Sequence, residues 1–173
     1  MVSLTIMLAL FLTAGDGPND KTSPGASRTA PKPNPLAPSL PATSEEDEEK
    51  FDKVIDRFIL YDIGKLSGKE AKKALEDFQR LPPEAVFALI RGVNRAAAIN
   101  DSCPALVIAK RIASQMRTTK DRELLQFARE NVGAGVSQSR HMAVLKDLKL
   151  TCTLRQSTLD NEKGPDLRGS SKP

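Results

Sequence analysis

The chain has 173 residues and a formal net charge of +4, with 39% hydrophobic, 28% charged and only 4% aromatic residues. This length fits one domain or two small ones, and the charged content excludes a protein made mainly of membrane spans. Two cysteines and one histidine exclude a disulfide-dense mini-protein, a four-cysteine zinc cage and a multi-histidine metal site within one chain.

The first predicted element is an apolar segment at residues 1–15. Its run from Leu4 to Leu12 is interrupted only by Thr5, and small residues follow it. This length is typical of the hydrophobic part of a signal peptide and is too short to span a bilayer as a helix. The segment lacks the usual initial Lys or Arg, which leaves open a start upstream of Met1 or an uncleaved N-terminus that tethers the protein to a membrane. We predict a signal peptide, export to the periplasm or the exterior, and no transmembrane span after its removal.

Two low-complexity segments flank the foldable region. Residues 16–43 are rich in proline and poor in large apolar side chains, so we predict a disordered linker that cannot bury enough surface to fold. Residues 158–173 are polar and interrupted by glycine and proline, which predicts a disordered tail. The region between them, 44–157, is predicted to be an all-α domain of about six helices, because its apolar residues recur at helical spacing and show no strand alternation.

The helix boundaries follow from capping residues and breakers. Ser44 can cap the first helix, the acidic run at 45–49 complements the helix dipole, and Gly64 ends it. Ser67 and Glu70 match a capping box for the second helix. Pro83 is predicted to begin the third helix, a cap at Asp101 or Ser102 the fourth, Lys120 the fifth, and Ser139 the sixth, which runs through Cys152.

The second and third predicted helices align with the fourth and fifth at an offset of 38 positions. The seven aligned pairs are all apolar: Ala71 with Ala109, Ala74 with Ile112, Leu75 with Ala113, Phe78 with Met116, Val86 with Leu124, Leu89 with Phe127, and Ile90 with Ala128. Helix pairs repeated at about forty residues indicate a stacked helical array.

The segment Leu81–Ile90 resembles the second-helix signature of HEAT-type repeats, in which a proline introduces an apolar helix. The resemblance covers two degenerate units at about residues 67–132 and implies a short solenoid of antiparallel hairpins. An irregular helical bundle would give the same periodicity and is the alternative. The stretch Asp56–Gly64 is also similar to small exported bacterial proteins of unassigned role, a similarity that implies no activity.

The sequence offers few residues for catalysis. His141 is the sole imidazole, and its possible partners for a hydrolase are Ser137, Ser139, Cys103, Cys152 and Asp147. Because a histidine at a helix end is commonly structural, we predict no enzyme, no cofactor and no metal site.

The two cysteines, Cys103 and Cys152, could form a disulfide in an oxidising compartment. The repeat register would place them roughly 16 Å apart along the array, whereas a disulfide needs Cα atoms within about 7 Å. The register therefore favours two free thiols, and a bond between them stays open.

The candidate binding surface is a basic strip of Arg91, Arg95, Arg122 and Arg129, which the repeat register would place on one concave face. We expect a non-catalytic interaction or scaffold module whose unknown protein partner has acidic character. The alternative is an anionic polymer or nucleic acid, although no aromatic residue in the strip could stack on bases.

Overall fold

Helices make up most of the chain that the structure, a computed structural model, describes: residues 32–99, 104–137 and 139–162. The expected all-α class is confirmed. These residues form one compact unit, which contains the elements β1 (Pro33–Asn34), β2 (Ala37–Pro41), α1 (Glu45–Asp62), α2 (Gly68–Gln79), a 3₁₀ turn (Pro83–Ala85), α3 (Val86–Ala97), α4 (Pro104–Thr118), α5 (Arg122–Asn131) and α6 (Met142–Glu162). The predicted signal peptide lies outside the described residues.

The predicted linker 16–43 ends in a small antiparallel hairpin, β1–β2, instead of continuing as disordered chain to residue 43. Ala37 is fully buried, and the backbone N–H of Ser39 donates to both carboxylate oxygens of Asp121 at 3.3 Å. The Ser39 hydroxyl donates to the same carboxylate. Long-range contacts of this kind cannot be read from proline content, which explains the difference. The part of the linker before residue 32 lies outside the described residues.

The ends of α1 follow the local chemistry that the sequence predicts. Ser44 is the N-cap, and its hydroxyl accepts a hydrogen bond from the Asp47 backbone N–H at 3.1 Å. Gly64 adopts a left-handed φ of 73°, and the following Lys65 N–H donates back to the Leu60 carbonyl at 2.9 Å. This closure is a glycine-dependent C-terminal motif.

The structure agrees only in part with the predicted starts of the second and third helices. Ser67 occupies the N-cap position of α2, but its side chain makes no capping hydrogen bond, so the predicted capping box with Glu70 does not form. Pro83 starts a 3₁₀ turn, and α3 itself begins at Val86. The predicted caps at Asp101 and Ser102 lie outside the described residues.

Helix α3 forms the centre of the core, because nine of its twelve residues are buried. It packs between α1 and α4, and Gly92 allows the close approach to α1. A Cβ atom at Gly92 would overlap Cγ2 of Ile55, which is completely buried.

The helices pair differently from the two hairpins that the 38-residue offset predicts, the second helix with the third and the fourth with the fifth. Helix α2 packs mainly on α1 and α5 mainly on α6, whereas α3 packs on α4 and α4 on α6. Neither α2 with α3 nor α4 with α5 forms a main packing pair. The neighbouring helices α1–α2, α3–α4 and α5–α6 thus form the pairs, with α3 packed on α1 and α5 and with α4 packed on α6. The pairs begin one helix earlier than predicted, and the repeat-like stacking stays a prediction.

Helix α6 extends further than predicted at one end and starts later at the other. It runs from Met142 to Glu162, so the first residues of the predicted tail 158–173 are helical, and Leu159 is buried. Leu159 continues the apolar spacing of Leu148 and Cys152. The polar composition of the tail made this spacing hard to recognise in the sequence. Residues 163–173 lie outside the described residues.

Candidate functional site

Two of the four predicted strip arginines, Arg91 and Arg95, bind carboxylates of α1. Arg91 contacts Glu48 at 2.6 Å and Asp52 at 2.7 Å, and Arg95 contacts Asp52 at 2.9 Å and Asp56 at 2.8 Å. Residue numbers rise together along the two helices, so α1 and α3 run parallel. Asp52 bridges both guanidinium groups.

These ion pairs neutralise the surface that the sequence predicts to be basic. Partial burial lowers the pKa of Arg91, but hydrogen bonds and the charges of Asp52 and Glu48 outweigh it and raise the pKa above its ordinary value. Arg91 therefore stays charged, and its guanidinium pairs with carboxylates of α1 while its side chain remains partly exposed.

The other two strip arginines face α6. Arg122 donates to the Leu159 carbonyl at 2.7 Å and forms an ion pair with Asp160, and Arg129 donates to Gln156 at 2.8 Å. The predicted strip is thus divided into two pairs with intramolecular partners, because α1 packs on α3 and α6 packs on α5. All four arginines thus have partners within the chain, and binding through the strip stays a prediction.

A shallow groove of about 180 Å³ lies between α4 and α6. The start of α4 lies beside the start of α6, and the end of α4 lies beside later turns of α6, so the two helices run parallel. A second depression near Leu154 and Thr158 shares Arg117 and Thr151 with the groove and extends it toward the end of α6. The groove is lined by Leu106, Ala109, Lys110, Ala113, Arg117, Val144, Asp147, Leu148 and Thr151.

Helix α6 has a second apolar stripe that its own domain leaves uncovered. Leu145, Leu148 and Cys152 point into the core, whereas Leu150 and Leu154 are 54% and 60% exposed. On α4, Leu106 at the groove is 37% exposed. A helix with apolar residues on opposite sides is typical of one that is buried on both sides. We define the α4–α6 face as the groove together with Leu150 and Leu154.

The charges of the α4–α6 face are mostly positive. Lys110 and Arg117 are exposed and have no ion-pair partner among the described residues. Asp147, a residue of α6, is the one acidic residue in the groove lining. Helix α4 contains three basic residues and no acidic residue, whereas α1 contains eight acidic and three basic residues.

His141 lies just before α6 and is only 4% exposed. Its backbone N–H donates to the Ser139 hydroxyl at 3.0 Å, and that hydroxyl donates to the Ala97 carbonyl at 2.5 Å. Nε2 is buried without a hydrogen-bond partner in the part of the chain that the structure describes. Ser139 thus serves the backbone, and Asp147 belongs to the groove, so the structure does not join these candidates to the imidazole.

Cys152 is a fully buried free thiol on α6. Burial raises its pKa to about 11, against the opposing effect of the Arg129 charge. The protonated thiol packs as a small apolar group. Cys103 lies outside the described residues.

Within residues 32–99, 104–137 and 139–162, no three His, Cys, Asp or Glu side chains cluster as metal ligands. Those same residues include no helix with the length and apolar character needed to cross a membrane. Comparisons with models of protein families, with curated protein sequences and with solved structures found no match to this chain.

Sequence reasoning missed the α4–α6 face because it assigned only the buried stripe of α6. Leu150 and Leu154 fall four residues apart and off that stripe, which was the available signal. The groove itself depends on α4 packing beside α6, a contact between helices distant in the chain.

Proposed function

We propose that this chain is a non-catalytic protein-interaction module that binds a protein partner through the α4–α6 face. The observation that carries the proposal is the pair of exposed leucines on α6, Leu150 and Leu154, the second of which lines the depression that extends the groove. Covering the exposed part of one leucine would contribute about 1–2 kcal/mol to binding, since complete burial of such a side chain is worth about 1.5–3 kcal/mol. The predicted leader at residues 1–15 supports a place in the cell envelope or exterior.

The alternative functions have less support from the same contacts. Binding of an anionic polymer or nucleic acid through the arginine strip would require Arg91 and Arg95 to leave three carboxylates of α1. A hydrolase would require His141 to reach substrate, but its ring is buried. The α4–α6 face needs no such rearrangement.

Site-specific photocrosslinking tests the proposal. A photoreactive amino acid replaces Leu154 in the full chain, expressed in cells that naturally produce the protein, and a second variant carries it at Leu60. Leu60 is a matched control, because it is an exposed leucine on α1, at 38% exposure.

We expect a defined protein adduct from position 154 and none from position 60. The crosslinked protein is then identified by mass spectrometry, and the complex is reassembled from purified components. Leu154→Ser should weaken that complex about tenfold, which corresponds to 1.4 kcal/mol, and Leu60→Ser should leave it unchanged. Equal adducts at both positions, or none at either, would refute the proposed function.

A further inference from the structure

The α4–α6 face combines three features that together constrain its occupant. It has a groove and two exposed leucines on α6, it runs along parallel helices, and two of the three charged groups that line the groove, Lys110 and Arg117, are positive against the one carboxylate of Asp147. From Leu106 to Arg117 the groove follows about three turns of α4, a length that one partner helix can cover. Helix-in-groove binding uses an apolar stripe for affinity and flanking charges for orientation.

We infer that the α4–α6 face binds an amphipathic helix of a partner protein whose flanks are acidic. This inference rests on the proposed function and names the chemistry of its partner. Leucines of the partner helix would pack against Leu150 and Leu154, and its carboxylates would pair with Lys110 and Arg117. The acidic Asp147 would disfavour the same helix, because like charges repel across a short distance.

A second copy of this chain is a poorer occupant. Its acidic helix α1 has the right charge, but its apolar residues Ile55, Phe58 and Ile59 are already buried in its own core. That helix would therefore bring carboxylates to the α4–α6 face without the apolar stripe that the leucines require.

The test uses the full chain and two labelled helical peptides of about 18 residues, since shorter helices are marginal in water. The first peptide has leucines at helical spacing flanked by glutamates, and the second has every glutamate replaced by lysine. We expect the glutamate peptide to bind at least about tenfold more tightly, with an affinity that falls as salt is raised. Fluorescence anisotropy measures both.

Variants of the chain locate the binding site. Leu150→Ser with Leu154→Ser should weaken binding of the glutamate peptide by more than about tenfold, and Leu60→Ser by less than about twofold. These sites are exposed, so circular dichroism should confirm that each variant folds.

Charge variants test complementarity. Lys110→Glu should weaken the same binding, while the matched reversal Lys69→Glu, at an exposed lysine of α2, should not. Asp147→Asn should strengthen binding by about two- to fivefold, an effect that a loss of folding cannot produce.

Any one of four results would overturn the inference. The first two are equal binding of both peptides and tighter binding to vesicles of anionic lipid than to the glutamate peptide. The other two are a concentration-dependent dimer that Leu150→Ser disrupts and a crosslink from position 154 to residues 1–31 of the same chain. If one of the first two occurs while position 154 still gives the intermolecular adduct described above, the interaction function stands and only the acidic helix is refuted. If the adduct also fails, the proposed function is refuted as well.

Discussion

The close approach of α1 and α3 makes a quantitative prediction for Gly92→Ala. In an exposed helix this substitution would stabilise by about 1 kcal/mol, because alanine has the higher helix propensity. At Gly92 the new methyl group would overlap Cγ2 of Ile55. That atom is fixed by β-branching and by complete burial, so α1 and α3 must separate. Overpacking of a core costs about 1–3 kcal/mol, and we expect a net destabilisation of about 1–2 kcal/mol.

Urea denaturation followed by circular dichroism measures this change as a shift in the midpoint at constant slope. Ile55→Leu moves the branch away from Cβ at nearly constant volume, so Gly92→Ala should cost at least 1 kcal/mol less in that background. Ser114→Ala, at an exposed position of α4, controls for helix propensity. The steric reasoning would be refuted if Gly92→Ala stabilised the wild-type chain, or if its cost were the same in both backgrounds.

The remaining predictions concern polar and titratable contacts. Asp52→Asn should destabilise by about 1–2 kcal/mol, more than Asp56→Asn, because Asp52 bridges two arginines, and urea denaturation measures both. Asp121→Ala should accelerate amide hydrogen exchange at Ser39 without unfolding the helices, since that carboxylate holds the hairpin; unchanged exchange would exclude this role. The pKa of Cys152 is about 11 in the folded chain against 9.0 for an unperturbed thiol, so the unfolded state ionises first as pH rises. The free energy of unfolding should therefore fall between pH 9 and 11 more steeply than in Cys152→Ala, and equal slopes would contradict the burial argument.

Local signals in the sequence predicted the helices well. Ser44 and Gly64 mark the ends of α1 because capping and left-handed backbone depend on a few neighbouring residues. The buried stripes were also predictable, since Ile55, Phe58 and Ile59 of α1 recur at helical spacing and are buried. Such information is contained within single helices.

Pairing between helices was not predictable in the same way. The 38-residue offset aligns α2 with α4, and each packs most on the helix that precedes it, α1 or α3, instead of on the helix that follows it. One apolar stripe fits any partner of matching width, so periodicity alone does not select the neighbour. The same limit applies to the site: Arg91 and Arg95 lie on one exposed side of α3 as predicted, but their neutralisation by α1 depends on that pairing.

The contact between Gly92 and Ile55 constrains the register of α1 against α3, because the ion pairs alone would tolerate a slip of α1 by one turn. The acidic residues Glu48, Asp52 and Asp56 are four apart, like the two arginines, so sliding α1 by one turn would still bring a carboxylate to each guanidinium. The same slip would bring the larger side chain of Phe51 to the position of Ile55, against the narrowest part of α3. A single hydrogen atom in place of a side chain thus disfavours this slip, although each guanidinium would keep at least one carboxylate.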